Sequence, residues 1–307
     1  MFPELNNILN STPETCEQGK AVLLSDKQTD GSFLVHHFLS FYLKGGCKVC
    51  FLGLVQSFNH YSLVAQKLGV NLSAAREKGQ LVFLEALRSS VDFMLGDRQD
   101  STPHTLSPLQ FLRMWASLAR LAFIDYPKFN TTEWLARVKG QAAMPCHSHL
   151  NSSPNASLQP LYEFICISLL ETSKTTWKFP VLIIDDLSVL LSLGVSTVNI
   201  LNFMHYCRAT VCSKLMGNLV MMVHDTEDLE DEENNFVVKS LSHQCHLILQ
   251  VEGLTTGYCK DIHGQLKMAC RSPSPVKSEK NVTKIFQYKI QDKNVTFFAR
   301  GTSSAVL

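Results

Sequence analysis

Two adjacent carboxylates, Asp185 and Asp186, stand at the end of a short apolar run and could bind a divalent cation. The run, residues 181–184, consists of four branched apolar residues after Pro180, a pattern typical of a strand that is buried on both faces. Open α/β sheets place their ligands beside the carboxyl ends of parallel strands. In nucleotide-hydrolysing proteins, an aspartate at such a strand end helps to hold Mg²⁺. The pair therefore marks the sheet edge at which a nucleotide site is to be sought.

A phosphate-binding loop would lie between the first strand and the first helix, where residues 25–32 read SDKQTDGS. Such a loop needs glycines whose N–H groups cradle phosphate, followed by a lysine and a hydroxyl residue at the helix start. When Ser32 is aligned with the hydroxyl residue, Gly31 stands at the lysine position and Asp30 at the preceding glycine position. Asp26 and Asp30 would also repel phosphate. We therefore predict a structural turn with Asp30 as the helix cap. The degenerate phosphate-loop positions are Ser25, Asp30, Gly31 and Ser32.

The second predicted strand does not supply an acid that could activate water, because Gln56 stands near its end and an amide alone is a poor base. Without a phosphate loop opposite, a metal ion on Asp185 and Asp186 would lack its main partner. Both carboxylates are therefore expected to cap the next helix or to accept hydrogen bonds from the neighbouring loop. We predict no catalytic residue, no cofactor and no metal site, and we regard Asp185 and Asp186 as a degenerate Mg²⁺ position.

Two further groups have the side chains of metal ligands. Cys47 and Cys50 are three residues apart at the edge of a predicted strand, where such residues point to opposite faces. No second cysteine pair has the spacing that a four-ligand zinc site needs. Cys146, His147 and His149 lie in a stretch rich in Ser, Asn and Pro, and we interpret their proximity as coincidence.

The elements that would position these residues alternate between strand and helix. Residues 1–20 are predicted to be irregular and residues 25–30 to form a polar turn. Apolar runs predict strands at 21–24, 48–55, 81–84, 181–184 and 219–223. Apolar residues at helical spacing predict helices from Gly31 and at 62–68, 161–170 and 200–211. This order predicts an α/β fold with a mostly parallel twisted sheet between helices.

The carboxyl-terminal part has short segments with alternating polarity. They predict an antiparallel set of strands that closes the sheet, with turns at Gly264 and at 292–294. The predicted strands are 247–251, 257–260, 266–270, 286–290 and 295–299. We expect one domain over residues 1–307, in which residues 96–160 form an inserted, mobile segment.

The bulk composition excludes several classes of protein. The chain has 307 residues, 45% of them hydrophobic, and a formal net charge of +1, so it can bury a large core and has no global attraction to nucleic acid or membrane. No apolar run approaches the roughly 18 residues that span a bilayer, and residues 1–10 lack a signal pattern. The 10 scattered cysteines fit a reducing compartment. We expect a cytoplasmic or nuclear protein without a membrane contact.

Several strings resemble one family. Residues 21–44, 50–70 and 181–194 (VLIIDDLSVLLSLG) resemble the core of RecA-like ATPases. The strings DGSFLVHHFLSFYLK, HYCRATVC, LSHQCHLIL and YKIQDKNVTFFA are similar to the family of the sixth subunit of the Elongator complex. The resemblance covers most of the chain except for residues 114–157, a longer connection than we expect in that family.

The resemblance implies a RecA-like fold with degenerate nucleotide motifs. It also implies assembly with the fourth and fifth Elongator subunits in a heterohexameric ring, which binds tRNA and supports the modification of wobble uridines. RecA-like domains in a ring pack side by side, so the interface is expected to bury well above roughly 1,000 Å².

Two other functions remain open at this point. Lys27, Asp185 and Asp186 would support a nucleotide-binding regulatory protein. A basic rim in the carboxyl-terminal hairpins would support direct RNA binding through phosphate contacts. The candidate residues of that rim are Lys260, Lys267 and Arg271. A non-catalytic ring subunit is preferred, because the RecA-like frame is present and its catalytic residues are missing.

Overall fold

One sheet of nine strands organises the chain. The structure, a computed structural model, describes residues 1–85, 158–170, 177–225, 232–254, 257, 259–271 and 282–299. The strands are β1 Ala21–Lys27, β2 Lys48–Gly53, β3 Leu81–Glu85, β4 Pro180–Ile184, β5 Asn218–His224, β6 Leu247–Glu252, β7 Gly264–Cys270, β8 Val282–Ile290 and β9 Val295–Ala299. Their order across the sheet is β3-β2-β4-β5-β1-β6-β7-β8-β9.

Strand direction divides the sheet into two parts. Every neighbouring pair from β3 to β6 is parallel, and the pairs β6–β7, β7–β8 and β8–β9 are antiparallel. This arrangement confirms the predicted RecA-like α/β fold with a mostly parallel sheet and antiparallel strands at its carboxyl-terminal end.

Helices cover both faces of the sheet. They are α1 Pro3–Leu9, α2 Ser32–Lys44, α3 Phe58–Lys67, α4 Leu72–Glu77, α5 Gln159–Leu170, α6 Ser188–Ser192, α7 Thr197–Arg208 and α8 Glu232–Ser242, and a π-helical turn, Ala209–Lys214, follows α7. Helices α1 to α4 pack on one face and α5 to α8 on the other. Strand β4 serves both cores, because Val181 and Ile183 point to the first face and Leu182 and Ile184 to the second. The buried apolar run predicted there is confirmed.

Two predictions for the amino-terminal part are wrong. Residues 1–20 are not wholly irregular, because α1 forms with a proline in its first turn and buries Leu5, an arrangement that suits proline. Residues 25–27 continue β1 instead of forming a turn, since Ser25 and Asp26 are buried between β5 and β6. The helix α4, which begins at the side-chain cap of Asn71, was not predicted.

The carboxyl-terminal strands also differ from the prediction. Strand β6 pairs antiparallel with β7, as predicted, but on its other side it is parallel to β1, which the sequence did not suggest. Gly264 begins β7 and does not mark a turn, and an added Cβ there would lie 2.4 Å from the carbonyl oxygen of Glu252. Of the predicted strand 257–260, the described residues 257, 259 and 260 lie in no strand. The turn at 292–294 is confirmed.

Some predictions fall on residues outside the described part of the chain. They concern nearly all of the segment 96–160 and the group Cys146, His147 and His149. In the ranges that are described, the helices are too short and too polar to cross a bilayer.

Candidate functional site

Three polar side chains meet at the carboxyl ends of β1, β5 and β4. Asp26 and His224 are direct neighbours in the parallel register of β1 and β5, and Asp186 stands just after β4. The His224 imidazole contacts both carboxylates: Nδ1 pairs with Asp26 Oδ1, and Nε2 lies 3.1 Å from Asp186 Oδ2. Both carboxylates are buried, whereas 46% of the imidazole is exposed. We call these three residues the strand-end triad.

The strand-end triad is an ionic group at neutral pH. Hydrogen bonds to Asp186 and Asp26 raise the pKa of His224 to about 10, against the opposing effect of burial. Both ring nitrogens are then protonated, and each donates to one carboxylate. The group therefore consists of an imidazolium between two carboxylates, at the edge where a RecA-like ATPase would bind its nucleotide.

The remaining oxygens of the triad bind the loops that begin the next helices. Asp26 Oδ2 accepts from the Gly31 N–H at 2.9 Å, and Asp186 Oδ1 accepts from the Ser188 N–H at 2.8 Å. The backbone N–H of His224 donates to Ser188 Oγ at 2.9 Å. The triad thus connects three strand ends to the starts of α2 and α6.

Asp185 points to a different part of the same edge. Its carboxylate accepts from the N–H groups of Leu54 at 2.7 Å and Val55 at 3.2 Å, and from the Tyr61 hydroxyl at 3.0 Å. Burial raises the pKa of Asp185 to about 6, although these three hydrogen bonds oppose the rise. The side chain therefore ties β4 to the loop between β2 and α3.

The degenerate phosphate loop uses its polar groups internally. Gly31, and not Asp30, occupies the cap position of α2, so the predicted cap is corrected. Asp30 still serves the first turn, because its carboxylate accepts from the Ser32 N–H at 2.8 Å and from Ser32 Oγ at 3.0 Å. A Cβ added to Gly31 would lie 2.9 Å from the Asp26 Cβ. The glycine is thus explained by its close approach to Asp26.

The cysteine pair lies in the interior of the molecule. Cys47 belongs to the core under α1 to α4 and Cys50 to the core under α5 to α8, and burial raises the pKa of both thiols to about 12. Among the described residues, no group of three or more His, Cys, Asp or Glu side chains has an arrangement that could hold a metal ion.

The basic rim is not a set of free cations. Lys267 Nζ lies 2.6 Å from Glu252 Oε1 on the neighbouring strand β6. The Arg271 guanidinium donates to the Ser242 carbonyl at the end of α8. Lys260 is exposed. Two of the three candidate RNA contacts are therefore engaged within the chain.

Comparison with known sequences shows to which family the chain belongs. The profile of the family described as Elongation complex protein 6 matches residues 2–124 and 119–292. The chain belongs to the Elongation complex protein 6 family. The resemblance noted in the sequence is thereby confirmed.

Curated relatives align with the chain along its whole length. It is 51% identical to Elongator complex protein 6 of Xenopus laevis over 307 residues and 50% identical to that of Homo sapiens over 309 residues, with 100% of both chains covered in each case. The Dictyostelium discoideum relative is 26% identical and covers 92% of this chain and 91% of its own length.

Two solved structures from Pyrococcus horikoshii are similar over nearly the whole chain. An uncharacterised protein has a TM-score of 0.49 at 10% identity and covers 98% of both chains. A KaiC-like protein has a TM-score of 0.48 at 11% identity and covers 97% of this chain and 96% of its own. The strand order and strand directions of this chain define its fold.

Sequence reasoning did not identify His224 or Tyr61 as parts of the site. His224 had a usable signal, because it directly follows the apolar run 219–223, just as Asp185 follows the run 181–184. Polar residues that end parallel strands share one sheet edge. Tyr61 gave no comparable signal, since its hydroxyl reaches Asp185 from a helix on one face of the sheet.

Proposed function

We propose that this chain is a non-catalytic subunit of the Elongator complex. It assembles with the fourth and fifth subunits in a heterohexameric ring in the cytoplasm or nucleus, and the ring supports tRNA binding and the modification of wobble uridines in tRNA. One observation carries the non-catalytic part of the proposal. The strand-end triad occupies, with the chain's own side chains, the edge at which a RecA-like ATPase binds its nucleotide.

Electrostatics at this edge disfavours a nucleotide. Phosphate needs N–H donors and cations, but the Gly31 N–H is already bound to Asp26. The carboxylate of Asp30 lies at the start of α2, where a phosphate group would approach. The cation His224 is itself held by two carboxylates. A triphosphate would therefore have to displace existing hydrogen bonds and meet fixed negative charge.

The assembly part of the proposal is supported by the family. The curated relatives are named Elongator complex protein 6, and RecA-like domains in a ring pack side by side. The internal pairing of Lys267 and Arg271 favours tRNA binding by the assembled ring over binding by the isolated chain.

Co-expression with the fourth and fifth subunits tests this proposal. We expect the three proteins to co-purify through a tag on any one of them, and native mass spectrometry to give the mass of a six-chain complex. The isolated chain should retain far less tRNA than the complex in a filter-binding assay at the same protein concentration. A well-behaved monomer that does not bind either related subunit would overturn the proposal.

A further inference from the structure

We propose that the His224 side chain is a built-in cation, and that a chain without it acquires a binding site for a divalent metal ion between Asp26 and Asp186. The inference rests on the contacts of this chain alone, so it can fail or succeed independently of the proposed ring. In this view the His224 imidazolium bridges carboxylates from two strands, as a bound metal ion does in other proteins.

The geometry places one positive group between two negative ones. Asp26 lies one residue before the end of β1, Asp186 follows β4, and β5, which ends in His224, lies between these two strands in the sheet. The His224 side chain contacts both carboxylates, one with each ring nitrogen. The two carboxylates are almost fully buried, with 2% and 4% of their residues exposed. Like charges in this setting repel strongly unless a cation lies between them.

Each carboxylate is also held in place by a second hydrogen bond. The N–H groups of Gly31 and Ser188 fix one oxygen of Asp26 and of Asp186, respectively. Removal of the imidazole therefore leaves two oxygens that still face the same position. These bonds hinder the carboxylates from turning away to relieve their repulsion.

The vacated position suits a hard cation. Carboxylate oxygens are preferred ligands of Mg²⁺, Mn²⁺ and Ca²⁺, and water supplies the remaining ligands in sites that have few protein groups. Because the imidazole is about half exposed, its position is open to solvent. A metal ion could enter with its water ligands.

Thermal unfolding of the full-length chain tests the inference, with MnCl₂ and imidazole as the two probes. We expect His224→Ala to lower Tm by roughly 2–4 °C, because two buried carboxylates lose a half-exposed counter-ion. Millimolar MnCl₂ or imidazole should restore part of that loss. The wild-type chain should respond to neither, since its own imidazolium occupies the position.

Three further variants serve as controls. His205→Ala removes an exposed histidine from α7 and should leave Tm and the response to Mn²⁺ unchanged. Asp186→Asn in the His224→Ala background should raise Tm and abolish the response to Mn²⁺, because the repulsion and one ligand disappear together. His224→Lys keeps a cation at the strand end and should remain close to the wild type.

Several results would overturn the inference. They are an unchanged Tm in His224→Ala, no stabilisation of His224→Ala by Mn²⁺, equal stabilisation of wild type and variant by Mn²⁺, and a Mn²⁺ response that survives Asp186→Asn. If His224→Ala is insoluble, a soluble His224→Lys that melts like the wild type supports the inference. If His224→Ala and His224→Lys are both insoluble, the inference is contradicted, because any change of shape at this position would then be sufficient to disrupt the fold.

Discussion

At the scale of single residues, the chemistry of the sheet edge depends on what lies between the carboxylates. Asp26 and Asp186 bind the His224 imidazolium, and Asp185 binds donors from the loop after β2. All three acids stand where a RecA-like ATPase would use carboxylates and phosphate-binding groups together. Here each acid stabilises the connection between a strand end and a neighbouring loop.

The triad makes stability depend on pH in a defined direction. The pKa of His224 rises from an ordinary value of 6.5 to about 10 in the folded chain, so the folded state holds this proton more tightly than the unfolded state. The stabilisation is complete below pH 6.5 and is lost as pH rises toward about 10. Because the imidazole is half exposed, solvent screening reduces the effect to roughly 1 kcal/mol, or about 2–4 °C in Tm.

This dependence can be measured as the difference in Tm between wild type and His224→Gln from pH 6 to pH 9. The difference should be largest near pH 6 and should shrink as pH increases. Ionisation of the buried cysteines in the unfolded state affects both proteins equally and cancels. If the difference in Tm between the two proteins stays constant from pH 6 to pH 9, His224 does not hold its proton as described.

Prediction at the residue scale succeeded where the sequence places a residue directly after a strand. Asp185 and Asp186 were located at the sheet edge from the preceding apolar run alone. Their partners were not predicted, because His224 and Tyr61 approach them through the spatial order of β4, β5 and β1 and through the packing of α3. That order is not sequential along the chain.

At the scale of elements, helix α1 stabilises the edge of the sheet. Glu4 Oε2 accepts from the Phe297 N–H of the edge strand β9 at 2.7 Å. The Phe2 N–H donates to His37 Nδ1 of α2 at 3.0 Å, and Leu5 is fully buried. The helix therefore joins α2 to β9 and satisfies an N–H on an edge strand, which otherwise could pair with another chain.

We expect Glu4→Ala to lower the free energy of unfolding by about 1.5–3 kcal/mol, the range for a hydrogen bond to a charged group. Urea titration followed by circular dichroism measures this loss. Glu4→Gln retains an acceptor oxygen and should lose less. Glu77→Ala changes an exposed glutamate of α4 and serves as the matched control. If Glu4→Ala and Glu77→Ala have the same stability, the contact with Phe297 does not stabilise the edge.

The elements that sequence reasoning missed share a physical reason. Helix α1 has seven residues, too few for apolar periodicity to become visible, and it forms because tertiary packing buries Phe2 and Leu5. The parallel pairing of β6 with β1 was not predicted, because alternating polarity is the same in parallel and antiparallel strands. The end of β1 was assigned to a turn because Asp26 is polar, although its hydrogen bonds allow it to be buried.

At the scale of the whole molecule, the alternation of strands and helices was sufficient to predict the fold class. The parallel part from β3 to β6 and the antiparallel addition β7 to β9 follow from buried apolar runs, helical spacing and alternating segments. The order of the strands in the sheet was not readable from these patterns. It determines which strand ends are neighbours, and therefore which polar residues form the triad.

The family of the chain and the contacts at its sheet edge favour the same function. The chain keeps the RecA-like frame and belongs to the Elongation complex protein 6 family. At the edge where a RecA-like ATPase binds its nucleotide, it has an internal ion group and a loop in which the N–H groups of Gly31 and Ser32 are already bound. We therefore expect the frame to act through assembly with other chains and not through hydrolysis.

Calorimetric titration of the full-length chain with Mg-ATP tests the central claim most directly. We predict only the heat of dilution for the wild-type chain at neutral pH, and the same result for Asp185→Ala. A saturable heat in the wild type that disappears in Asp185→Ala would contradict the account, because it would show that this edge binds a nucleotide through its carboxylates.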